Sequence, residues 1–207
     1  KNIIDDAILS DVGSAKLKVV KIFSKIKKIK FNILPAHPIA GTEKSGPEAG
    51  LAGLFNKRWC VITPMGKNDK KSLNKFKKLW VNFGSKVQIM NATNHDKILA
   101  ITSHVPHLIS YSIVSSTLKA NAKEKSQIVK FSAGGFRDFT RIAASDPLMW
   151  KDIFLHNKTN LLKMTKEFEK SLNLIKGFIK QNKQEELKKI FSNNKKIRKL
   201  IEKEKQE

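Results

Sequence analysis

The stretch His37-Pro38-Ile39-Ala40-Gly41-Thr42-Glu43-Lys44-Ser45-Gly46-Pro47-Glu48 decides how the rest of the chain is read. It follows Phe31 to Ala36, a short apolar run with the composition of a buried strand. Proline has no N–H to give to a ladder. Pro38 therefore predicts that the chain turns out of the sheet, leaving His37 at the strand's carboxyl edge. In open α/β sheets, ligands bind beyond that edge. The Gly, Thr, Ser and Pro that follow predict a loop. A histidine so placed is a candidate acid or base, because its ordinary pKa lies near neutrality. On spacing alone the favoured alternative is plainer: a turn histidine that ends a strand.

Working outward, Ala7 to Asp11 reads as a strand and Gly13-Ser14 as the turn after it. Lys16 to Ile29 sets Val19, Val20, Ile22, Phe23 and Ile26 against lysines, the pattern of an amphipathic helix with a lysine-covered outer face. With Phe31 to Ala36 this makes one βαβ unit of a parallel sheet. Trp59 to Thr63 is a strand stopped by Pro64, Lys70 to Phe83 a helix ended by Gly84, and Lys86 to Met90 a last strand. Residues 1–90 thus read as the C-terminal part of a doubly wound, Rossmann-like domain.

From Ala92 the pattern becomes helical. Ala92 to Ala122 is apolar almost all round. Pro106 inside it predicts a kink, with the Thr102 carbonyl losing its partner, and His104 and His107 flank that point. Asn157 to Gln181 carries a stripe of Leu161, Met164, Phe168, Leu172, Ile175 and Ile179, and Lys183 to Glu207 a weaker one. The fold class is α/β plus all-α, with residues 91–207 as a helical domain. Its helices have more apolar face than one small bundle buries, which predicts a homodimer.

Composition narrows the field. The 207 residues carry a formal charge of +23. Nucleic-acid binding would ordinarily follow from such a value, but the lysines are spread along the chain rather than gathered with aromatics on one face. A role in attracting a dianionic substrate remains open. No apolar run reads as long enough to span a bilayer, and no signal-peptide pattern opens the chain, so no membrane partner is expected. The single cysteine, Cys60, lies in an apolar run and reads as a buried structural thiol, in keeping with a cytoplasmic setting. No His/Cys/Asp/Glu grouping has metal-ligand spacing, so no metal is expected. The chain contains no G-x-G-x-x-G, and the pairs Gly50/Gly53 and Gly134/Gly135 have the wrong context for one. With Lys1 at its start, the chain is expected to lack the first half of a dinucleotide domain. By itself it should bind neither nicotinamide cofactor and show no turnover.

Four blocks carry a resemblance. They are the His37–Gly46 loop, Asp11-Val12-Gly13-Ser14 with Lys16, Ser103-His104-Val105-Pro106-His107, and Gly134-Gly135-Phe136-Arg137-Asp138-Phe139-Thr140-Arg141-Ile142-Ala143 followed by Ser145-Asp146-Pro147 and Trp150. Taken in chain order, along nearly the whole chain, they resemble the prephenate and arogenate dehydrogenase family. The resemblance implies NAD- or NADP-dependent oxidative decarboxylation of prephenate, or of arogenate, to hydroxyphenylpyruvate or tyrosine. It implies His37 as the base, with Ser14 orienting it or the substrate hydroxyl, and Ser14 and Pro38 beside the cofactor. Ser14 also reads as a helix N-cap. Arg141 is the expected carboxylate clamp, since a guanidinium fork matches a carboxylate as lysine cannot. Arg137 would assist it. Asp138 belongs to the same block, and an Asp138–Arg141 ion pair that only holds the turn is the alternative. Thr42 and Glu43 would shape the pocket, although Thr42 equally reads as a cap. Ser103, His107 and Trp150 complete the implied substrate site, against the reading of His104 and His107 as packed core residues. Two other functions stay open: a non-catalytic dimerisation or aromatic-ligand-binding remnant without a cofactor site, and a basic nucleic-acid binder.

Overall fold

A computed structural model describes residues 7–26, 31–41, 46–66, 70–117 and 119–204. The chain divides into two compact units, Lys1–Leu161 and Leu162–Glu207. The division expected from the pattern change near residue 90 is not where compactness breaks. Helix α3 (Ala92–Leu99) docks on α1 (Lys16–Phe23), and the Asp96 carboxylate of α3 accepts hydrogen bonds from two backbone amides of α1.

In the first unit, β1 (Ile8–Leu9) pairs in parallel with β2 (Asn32–Ile33), so the predicted βαβ unit forms around α1. Pairing outruns the strand bounds: Ala36 N donates to Asp11 O at 3.2 Å. From Ala36 the same segment becomes β3 (Ala36–Pro38) and runs antiparallel to β4 (Trp59–Ile62). β4 then pairs in parallel with β5 (Lys86–Ile89). The sheet is therefore mixed, and one bent segment, residues 32–38, joins its two parts. Helix α2 (Lys70–Asn82) covers it, with Phe76 and Trp80 packed on Leu34, Ala36, Cys60 and Ile62. Burial of Leu34, Ile62 and Phe76 contributes about 1.5–3 kcal/mol for each side chain.

Two local expectations are corrected. Pro38 does not turn the chain out of the sheet. It stays in register opposite Cys60, because the ladder bond at that end is donated by Ile39 N to Trp59 O at 2.7 Å and needs nothing from the proline nitrogen. His37 sits opposite Val61, one residue before the carboxyl end of β3. The outer face of α1 is not uniformly lysine either. Lys16 is 0% exposed, with its ammonium bonded to Asp11 and to Ala36 O. The helix it opens ends at Phe23; the predicted extension toward Ile29 runs into residues 27–30, outside the described ones.

The long helical run also differs in detail. α3 passes into a π-helical turn, Ala100–His104, and then into α4 (Val105–Thr117). Val105 N bonds to Ala100 O, five residues back. The turn is widened one residue ahead of Pro106, the ring of which would otherwise press on the carbonyl of Thr102. Ala92–Thr117 is long and apolar enough, by length and composition alone, to cross a membrane, against the expectation from sequence. Its inward positions argue for a core role: His95, Asp96, His104 and Ser110 are buried. Beyond it lie α5 (Ala122–Phe131), α6 (Gly134–Thr140), a 3-10 turn (Arg141–Ala144), α7 (Pro147–His156) and α8 (Lys158–Lys180).

The second unit holds the remainder of α8 and α9 (Gln184–Lys203). α8 stops in a left-handed cap: Asn182 takes φ of 51°, and Lys183 N reaches back to Phe178 O at 2.9 Å.

Candidate active site

The Asp96 carboxylate is the fixed point of the site. Oδ1 accepts from Lys16 N at 2.8 Å, and Oδ2 from Leu17 N at 2.9 Å. These are orphan amides at the start of α1, so Asp96 caps that helix from another element. Ser14 does not cap it: the residue before the helix is Ala15, and no side-chain cap bond comes from there. Burial acts to raise the Asp96 carboxyl. The bonds from His95 and from the two amides outweigh it and hold the group below the usual carboxylate range.

An ionised Asp96 can only accept, so the bond from His95 Nδ1 to its Oδ1, at 2.7 Å, places a proton on Nδ1. An imidazole with its proton on Nδ1 has a lone pair on Nε2. His37 Nδ1 lies 2.8 Å from that atom and donates to it. His37 in turn keeps its lone pair on Nε2, the edge that is left to take a proton from a ligand. Burial, the neighbouring His95 and the Lys16 ammonium push His37 down to about 3, so it is neutral at physiological pH.

Two further histidines are fixed the same way. His107 Nδ1 donates to Ser103 O at 2.9 Å, and its ring stacks on Trp150 with centroids 3.5 Å apart. Burial lowers its pKa, and the Arg141 charge adds to that. Asn157 Nδ2 donates to Asp96 O at 2.7 Å and faces His104 Nδ1 at 3.1 Å. Burial, as the largest cause, lowers His104 to about 4.

The C-terminal block is held by caps and backbone bonds. Asp146 accepts from Met149 N at 2.7 Å and starts α7, with Pro147 at its first turn. Ser-Asp-Pro therefore acts as a helix start, which places Trp150 one turn in. Ser110 Oγ donates to Phe139 O and Tyr111 Oη to Ser145 O, tying the Arg141 turn to α4. Trp150 is buried, and its indole N–H has no partner among the described residues.

Of the residues expected from sequence, Ser103, His107 and Trp150 are in direct contact and the charge of Arg141 bears on His107, whereas His37 is linked to them through His104, which lies edge-on to Trp150. Arg137 and Asp138 lie exposed on α6. The partner of His37 is His95, not Ser14. Thr42 and Glu43 lie outside the described residues. His95, Asp96 and Asn157 are absent from the residues expected from sequence, and Lys16 enters there only as part of a motif. The one signal for Asp96 was a charged residue next to a histidine inside an apolar helix; nothing in the sequence tied it to Lys16, 80 positions away.

The described residues fit the nicotinamide end of a dinucleotide better than its pyrophosphate. Asp11 Oδ1, after the end of β1, is a buried acceptor with no partner among the described residues. The N-terminus of α1 is filled by the Asp96 carboxylate and offers no seat for a phosphate. Among the described residues no cluster has the makings of a metal site.

Comparison with known proteins gives a consistent picture. The family profile "Prephenate dehydrogenase, nucleotide-binding domain" matches residues 1–89, and "Prephenate dehydrogenase, dimerization domain" matches residues 91–193. A cyclohexadienyl dehydrogenase of Zymomonas mobilis is 35% identical over 93% of this chain and 66% of its own length. A prephenate dehydrogenase of Bacillus subtilis is 34% identical over 93% of this chain and 52% of its own. The chain thus spans between half and two thirds of these curated relatives. The crystal structure of Aquifex aeolicus prephenate dehydrogenase with hydroxyphenyl propionate and NAD+ superposes with a TM-score of 0.87 at 40% identity, over 96% of this chain and 68% of that one. Synechocystis arogenate dehydrogenase shares the fold, with a TM-score of 0.80 at 22% identity over 94% of this chain and 69% of that one.

Proposed function

The chain belongs to the prephenate dehydrogenase family, and from that premise we propose that it carries the proton-transfer and substrate-holding residues of an NAD- or NADP-dependent prephenate dehydrogenase. The observation that carries this reading is the series Asp96–His95–His37, which leaves one lone pair, on His37 Nε2, for a substrate hydroxyl. The bound nicotinamide would accept the hydride from the ring carbon that bears the hydroxyl. His37 takes the hydroxyl proton as that carbon becomes a carbonyl. Loss of the ring carboxylate as carbon dioxide then sends its electron pair into the ring. The carbonyl oxygen becomes a phenolate, which recovers the proton from His37. Proton and charge balance, and the product is 4-hydroxyphenylpyruvate. A positioned base of this kind is worth about 10²–10⁴-fold.

The imidazolium formed on His37 is stabilised through His95 by the Asp96 charge, which the amides of α1 keep ionised. Arg141, with Arg137 beside it in the chain, supplies a cation for substrate carboxylate. Asp138, Thr42, Ser103, His107 and Trp150 shape that side. Ser14, Pro38 and Asp11 face the cofactor. Arogenate, with tyrosine as product, is the same ring chemistry on an amino side chain. The chain works in the cytoplasm as a homodimer, in keeping with the buried, unpaired Cys60 and with exposed Leu162, Leu172, Ile179, Phe191 and Ile197 on α8 and α9. Residues 1–90 and 91–207 are its functional division. A remnant that binds an aromatic ligand without turnover is the second reading, favoured by the N-terminus of α1, where the Asp96 carboxylate takes the place a phosphate would need.

The test is prephenate-dependent formation of reduced cofactor. It compares this chain with the same chain joined to the glycine-rich half of a relative. Activity in the joined protein is expected. No activity there, with an aromatic ligand still bound, would favour the second reading.

A further inference from the structure

Asn157 is buried at the junction of α7 and α8, and it touches both arms of the site. The atom facing Asp96 O at 2.7 Å must be a donor, since a carbonyl only accepts; it is therefore the amide nitrogen. The amide oxygen accepts from Asn160 Nδ2 at 2.9 Å, which agrees with that orientation. The second N–H of Nδ2 points to His104 Nδ1 at 3.1 Å. A nitrogen that receives an N–H cannot itself carry a proton.

We propose that Asn157 is a positioning residue that holds His104 as its Nε2–H tautomer. His104 then offers ligands a donor, where His37 offers an acceptor. Two buried imidazoles thus present the same Nε2 edge in opposite roles, both set by Asp96: its side chain acts through His95, and its backbone carbonyl through Asn157. The groups that bear on His104 electrostatically are Asp96, His95 and His107, and His104 bears in turn on His37. A charge on His104 would oppose protonation of His37, so a donor at position 157, rather than an acceptor, protects the base. For that consequence alone the inference rests on His37 as base; the tautomer itself is measured without substrate.

The experiment is nitrogen-15 NMR of the histidine-labelled chain, where imidazole couplings separate Nε2–H, Nδ1–H and charged rings. At pH 7 the unaltered protein should show His104 as Nε2–H and His107 as Nδ1–H. Asn157→Ala should release His104 into a mixture of tautomers. Asn157→Asp, an acceptor of similar shape, should draw a proton to Nδ1 and move the titration of His104 upward by about 1–3 pH units. His107 should be unmoved in every variant. A merely structural Asn157 would lower the melting temperature and leave the tautomer alone. The proposal is overturned if His104 in the unaltered protein is Nδ1–H or charged at pH 7, or if Asn157→Ala folds with the tautomer unchanged. The first of these needs no variant and decides the matter even if both substitutions prevent folding.

Discussion

Two long helical stretches of this chain invite comparison. Ala92–Thr117 is interrupted by a π turn and carries His95, Asp96, His104 and His107. Lys158–Lys180 runs unbroken for 23 residues and carries lysines opposite a plain apolar stripe. The unbroken helix offers a face and little else. The interrupted one turns part of its polar content inward, where burial makes each hydrogen bond count for more. Its Asp96 caps another helix, its histidines have fixed tautomers, and its widened turn accommodates Pro106. The difference teaches that the chemistry lies where helical regularity gives way.

That contrast can be broken by substitution. The largest effect is expected from His37→Asn in a protein completed with a glycine-rich nucleotide-binding half. The maximal rate should fall by about 10²–10⁴-fold with the Michaelis constant little changed. A fall of less than about tenfold would make His37 a structural residue.

Asp96→Asn comes next and strikes both functions of one carboxylate. An amide keeps an acceptor for only one of the two α1 N–H groups, so the lost bond should cost about 1 kcal/mol, and loss of the charge behind His95 should lower the rate by about 10–100-fold, a smaller loss than removing the base. Thermal melting and steady-state rates, measured together, separate the two. A destabilised variant with full activity would remove Asp96 from the proton path. Arg141→Lys should raise the Michaelis constant for prephenate about tenfold, the loss of one charge-assisted fork, and leave cofactor affinity unaltered. An unaltered Michaelis constant would leave Arg141 with a local role in its turn.

The pH dependence sharpens the comparison further. His37 and His104 are depressed to about 3 and about 4. Their neutral forms therefore persist in the folded state well below the ordinary histidine value of about 6.5. An acid limb of the rate near pH 6.5 would contradict His37 as the base. Stability behaves differently. Between pH 6.5 and the depressed values the unfolded chain binds more protons, so acid favours unfolding. At pH 5 each of the two histidines should cost about 2 kcal/mol relative to pH 7, read as a lower melting temperature. Lys158–Lys180 has no buried histidine, so charge substitutions on its exposed face should change stability by no more than about 0.5 kcal/mol. Leu172→Glu on that helix should instead weaken association, seen by light scattering as a shift toward monomer mass.

Much of this molecule was legible in its residues. Strand and helix positions in the first half followed from hydrophobic period and from Gly and Pro punctuation, because those signals act over a few neighbouring positions. His37, Arg141, His107 and Trp150 stood out because rare residue types fell inside recognisable blocks. What sequence could not supply were relations across distance. Asp96 reaches α1 across 80 positions, and Asn157 reaches Asp96 across 61. The place of Pro38 in β3 is such a relation too: whether a strand needs a given N–H depends on the register of its partner, which only pairing sets. The sequence by itself determined the elements, the family and the candidate base. The tertiary structure decided which atom of that base is free, because a tautomer is fixed by whatever obligate acceptor the fold brings against the opposite edge of the ring.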